Sequence, residues 1–89
     1  MTQDVMFYIL PNSSITDYCS AVFVNETKFD KNIKGWLVKS CYADLKNKEL
    51  KYENTSVQLL KNSNRATKEQ YQDLLKLLKE NCYELNVLN

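Results

Sequence analysis

Histidine is absent from this chain, and glycine and proline occur once each. Without histidine the commonest general base at neutral pH is missing, so serine or cysteine catalysis would need a lysine or a carboxylate as its activating partner. A single glycine excludes a glycine-rich phosphate loop. It also leaves Asn, Asp and Ser to supply most of the turn chemistry. Long apolar runs are missing as well, none approaching the roughly 20 residues of a membrane-spanning helix.

Excess charge of one sign is the next absence. Twelve basic residues stand against 11 acidic ones, a net charge of +1, so no long-range field steers the whole chain toward a polyanion or an acidic membrane. The opening MTQDVMFYIL has no basic n-region, carries Asp4 ahead of a short apolar run and meets Pro11 without a small-residue cleavage site. No secretory signal is expected there, which makes the cytoplasm the expected location and leaves no membrane partner. Three glycosylation-type triplets, at Asn12, Asn25 and Asn54, carry no weight without such a signal.

Cys19, Cys41 and Cys82 form an odd, widely spaced set. Zinc would need a fourth ligand and normally shows a close Cys pair, so three free core thiols are expected, with no metal and no cofactor.

What is present describes an ordinary folded chain. With 44% hydrophobic and 26% charged residues in 89 positions, residues 1–89 make one domain with one small core. The stretch from Trp36 to Asn54 reads as a β-hairpin. If Asn47-Lys48 form a two-residue turn, Leu45 faces Leu50 and Ala43 faces Tyr52, while Lys46–Glu49 and Asp44–Lys51 become opposite-charge pairs on the other face. Cys41, Ala43, Leu45, Leu50 and Tyr52 then share one side. A helix over about residues 30–45 competes, because Phe29, Ile33, Trp36, Leu37, Cys41 and Leu45 recur at helical spacing. Gly35 and the β-leaning residues Trp36, Val38, Cys41 and Tyr42 oppose it.

Upstream, residues 5–10 are apolar at every position and residues 17–24 nearly so, as expected of strands covered on both sides. Residues 25–34 read as a loop, with Lys28, Lys31 and Lys34 as a solvated face. Residues 56–60 continue the hairpin strand past a bulge or form a short strand, and residues 61–66 form a linker. Thr67 with Gln70 makes a capping box. From there Tyr71, Leu74, Leu75, Leu78, Cys82 and Leu85 fall on one helical stripe, with Leu75 and Leu78 expected to be fully buried and Leu77 to the side. The expected fold is α+β: a small antiparallel sheet of about four strands in β-β-β-β-α order, packed by one C-terminal helix.

Function is less legible. Trp36, Val38 and Tyr42 fall opposite the core face of the hairpin, and one helix cannot cover both sides of a sheet. Together with Leu77 they are the expected protein-binding residues, since Trp and Tyr are enriched at interface hot spots. The competing reading folds residues 25–34 over that face and closes an ordinary core. The chain thus has the profile of a non-enzymatic inhibitor or regulator, such as a phage- or plasmid-borne accessory protein, whose partner is another protein or a second copy of itself. The alternative is a single-stranded RNA-binding hairpin, with Lys46, Lys48 and Lys51 on phosphates and Tyr42 stacking on a base.

Overall fold

The structure is a computed structural model that describes residues 2–10, 18–44, 46–81 and 83–88. The chain folds as a small α+β protein with a mostly antiparallel sheet. Its elements are β1 (Thr2–Leu10), β2 (Tyr18–Asp30), β3 (Gly35–Asp44), β4 (Glu49–Ser56), α1 (Val57–Lys61), β5 (Asn64–Arg65), α2 (Lys68–Glu80) and β6 (Glu84–Val87). The sheet runs β4-β3-β2-β1, and the outer edge of β1 is shared by β5 and β6. β5 lies antiparallel beside Tyr8 and Ile9, whereas β6 lies parallel beside Thr2 to Val5.

Six strands among the described residues replace the expected four. The extra two are β5, only two residues long, and β6, whose Leu85 reads in the sequence as part of the helical stripe. Helix α2 in fact ends at Glu80 with Asn81 as its C-cap. Leu85 reaches the same core from a strand. Residues 57–61 are a short helix rather than strand, and Gly35–Asp44 is strand rather than helix.

Because β1 and β2 are apolar on both faces, the sheet supports a core on each side. On the α2 side Val5, Phe7, Ala21, Phe23 and Cys41 pack with Leu74 and Leu78. Phe7 stacks on Tyr71 at a centroid distance of 4.2 Å. The helix is pinned at its start by the capping box that Thr67 and Gln70 form. Leu78 is fully buried, but the second anchor is Leu74, while Leu75 stays half-exposed. Cys82, expected on this stripe, lies outside the described residues. The α1 side holds a smaller cluster of Leu10, Val22, Val38 and Leu60. On that same face buried Ser40 is satisfied by the hydroxyl of Thr55 at 2.6 Å, and Ser20 donates to the carbonyl oxygen of Cys41.

The β3–β4 hairpin exists, with a register two residues from the expected one. Ala43 faces Leu50, Tyr42 faces Lys51 and Asp44 faces Glu49. A slip of two leaves every side chain on its expected face, so Cys41, Ala43 and Leu50 still meet the α2 core. Leu45, assigned to that same face, lies outside the described residues. The cross-strand pairs Lys46–Glu49 and Asp44–Lys51 are not made. Asp44 turns inward to its own loop instead, where Oδ1 accepts from the backbone N–H groups of Lys46 and Asn47 and Oδ2 from the Asn47 side chain. The left-handed residue is Lys48, φ 53°, rather than Asn47.

Candidate protein-docking surface

The β2–β3 hairpin repeats this turn chemistry. Asp30 Oδ1 accepts from the N–H groups of Asn32 (2.8 Å) and Ile33 (3.3 Å), Lys34 takes the left-handed conformation at φ 52°, and Asp30 pairs with Gly35. DKNIKG and DLKNKE are therefore the same device: an aspartate collecting loop amides, and a lysine reversing the chain just before the return strand. Both loops hold four residues between the paired positions, which is the physical reason the two-residue turn fails.

A bulge changes what the first hairpin presents. Val22 faces Ser40 but Thr27 faces Val38, so five steps along β2 match two along β3, leaving three extra residues. An odd excess reverses the faces of the strand. Phe29, which would otherwise continue the Phe23 side toward α2, is brought beside Trp36 on the α1 side. The bulge is braced by Thr27 Oγ1 donating to the Val24 carbonyl and by Asn25 Nδ2 donating to Asp4. Glu26 is paired with Lys39 at 3.9 Å.

Beyond the bulge the hairpin outruns its neighbours. Pairing of β1 with β2 stops at Val5–Phe23 and that of β3 with β4 at Leu37–Ser56, so residues 28–36 form a two-stranded arm. At its end Phe29 meets Trp36 edge to face at 5.5 Å. Phe29, Ile33 and Trp36 are 50%, 57% and 54% exposed. Residues 25–34 thus do not fold over the α1-side face.

Among the described residues that face is only partly covered. A five-residue helix lies over four strands, leaving a concavity of about 150 Å³ lined by Met6, Tyr8, Val24, Val38 and Val57. Val38 also neighbours the arm, being paired with Thr27 one pleat from Phe29 and Trp36. Concavity and arm thus adjoin at the Thr27–Val38 pair, with exposed polar Thr27 between them.

Of the sequence-assigned residues, Trp36, Val38 and Tyr42 share this face but not one spot. Six strand steps separate Trp36 from Tyr42, roughly 20 Å. Val38 is buried and forms the floor. Tyr42, half-buried, packs edge to face on Tyr18 at 5.2 Å. Tyr18 donates to Glu53 Oε1 at 2.7 Å, and burial followed by that bond pushes its pKa upward. Leu77 belongs to α2 across the sheet and does not join them. The lysines of the RNA reading gather at the opposite end from the arm: Lys46 and Lys48 lie in the β3–β4 turn, and Lys51 is 3.7 Å from Glu49. Tyr42 is committed to Tyr18, and the exposed aromatic beside Lys51 is Tyr52, the next residue of β4.

Phe29 and Ile33 are the surface residues that sequence reasoning missed. The available signal was the repeated Asp-x-x-x-Lys frame, which marks both turns. Burial pushes the Cys19 thiol up to about 11 and the Cys41 thiol up to about 12, keeping both protonated at neutral pH. Among the described residues no acidic or thiol cluster is arranged to hold a metal, and no helix is long and apolar enough to cross a membrane. No family model, curated protein or solved structure matches the chain.

Proposed function

We propose that this chain is a small non-enzymatic binding module that acts as an inhibitor or regulator by seating the α1 side of its sheet on another protein. The observation that carries the reading is an apolar concavity: five-residue α1 leaves a hollow lined by Met6, Val24, Val38 and Val57 open beside it. Apolar surface with aromatic margins is the composition of interface cores, where a few buried aromatic and aliphatic anchors contribute most of the affinity. The absence of histidine and the raised thiols of half-buried Cys19 and buried Cys41 support a binding rather than a catalytic role.

The test begins with light scattering, which separates self-association from a foreign partner. The chain is then used to capture proteins from its native cell, and each captured protein is purified and titrated with the chain by calorimetry. Met6→Asp with Val57→Asp should weaken that binary affinity at least tenfold, a conservative loss for two anchors at an interface centre. Unchanged affinity, with circular dichroism showing a folded variant, would remove the α1-side face from the interface.

A further inference from the structure

We infer that the β2–β3 arm is a membrane-surface anchor whose apolar tip enters the interface of an anionic lipid bilayer while its lysines meet the headgroups. The inference is independent of the protein-binding reading, which rests on the concavity. Three observations point to it.

First, charge is unevenly placed. Residues 28–36 contain Lys28, Lys31 and Lys34 against Asp30 alone, a net of +2, so the rest of the chain (nine basic, ten acidic) carries −1. The near-neutral total conceals an arm that holds the whole positive excess. Second, the acids near the arm are occupied. Glu26 is paired with Lys39, and Asp30 accepts the two turn amides. Lys28, Lys31 and Lys34 are exposed and form no ion pair among the described residues. Third, the apolar trio Phe29, Ile33 and Trp36 is exposed on a two-stranded arm that outruns the neighbouring strands, a shape that a deformable bilayer accepts without a matching cleft. Aromatic rings flanked by lysine at one exposed edge are the composition of interfacial anchors. Each lysine held near an anionic surface contributes about 1 kcal/mol. The opposite turn, with Lys46 and Lys48, has polar Asn47 between them and, among its described residues, no exposed apolar cluster.

Trp36 is the only tryptophan, so its fluorescence reports the arm directly. The intact chain is titrated with vesicles of phosphatidylcholine alone or mixed with phosphatidylserine, with bromine-labelled acyl chains as depth quenchers. Expected with phosphatidylserine are a blue shift and bromolipid quenching. Affinity should fall roughly a hundredfold on pure phosphatidylcholine, the product of three lysines at about 1 kcal/mol each, and by at least as much in Lys28→Glu/Lys31→Glu/Lys34→Glu, where repulsion is added. Ile33→Asp should abolish quenching, while Lys46→Glu/Lys48→Glu and Met6→Asp/Val57→Asp should leave it intact. The inference is overturned if Trp36 emission ignores anionic vesicles, if the charge-reversed arm still inserts, or if the chain adsorbs without bromolipid quenching. It is also overturned if Trp36 becomes shielded only on adding a captured partner protein, which would make the arm part of the protein interface.

Discussion

Leu74 and Leu75 are adjacent in sequence and differ in burial, which makes them a sharp probe of how α2 sits. Leu78 and Leu74 are buried against the sheet and Leu75 faces outward at the margin of the core. Leu78→Ala should cost roughly 2–5 kcal/mol, and Leu75→Ala well under half of that, as read from denaturant midpoints. The stripe was legible from the 3.6-residue period, but neighbours 100° apart on a wide stripe differ in depth only through the rotation of the helix about its axis. No property of either leucine records that rotation. Asp4 offers a second probe. Hydrogen bonds from Asn86 first and Asn25 second hold its carboxyl below the usual carboxylate range. A carboxylate whose pKa is depressed by folding contributes stability above its unfolded value, and that contribution is lost as pH falls through the folded value. NMR titration should therefore place Asp4 below an ordinary aspartate. Asn86→Ala should move it upward and lessen the loss of stability on acidification.

At the scale of elements, the two hairpins show both the reach of pattern reading and its limit. Alternation in β3 and β4 assigned Cys41, Ala43 and Leu50 to the core face, and that assignment survives because the register error is even. The turn failed because Asp44 has two plausible uses, a cross-strand partner for Lys51 or a receiver of loop amides. The local one wins, since an aspartate within two or three residues of unpaired N–H groups needs no distant strand in place. The bulge after Val22 is the feature least visible in sequence. Nothing in VNET requires three surplus residues, yet they decide which side Phe29 faces. Both loops also carry a lysine in the left-handed region, where a side chain with a Cβ is strained. Lys34→Gly and Lys48→Gly should each raise stability by roughly 0.5–1 kcal/mol in chemical denaturation, and a loss of stability would contradict the turn geometry.

For the whole molecule, the sequence conveyed the class of fold and the existence of a second apolar face, but not what covers it. A helix of one and a half turns has too few residues to show a period, and β5 and β6 are shorter than any alternation test requires. The RNA reading has a direct check. The stretch 44–53 holds three lysines against Asp44, Glu49 and Glu53, a net of zero, so little counterion release is available there. Binding of single-stranded RNA should be no tighter than micromolar at physiological salt and unaffected by Lys46→Glu/Lys51→Glu in gel-shift assays.

The parallel pairing of β6 with β1 has a consequence for synthesis. Residues 2–5 meet residues 84–87, and Asp4 bonds Asn86 across 82 positions. The ribosome delivers residues 2–5 of β1 before their outer partner β6, by roughly 4–16 s at 5–20 residues per second. Throughout that interval the edge of an apolar strand stands open to any other nascent chain. Stalling or proteolysis that removes residues 84–88 should therefore appear in a cell as aggregation of the fragment.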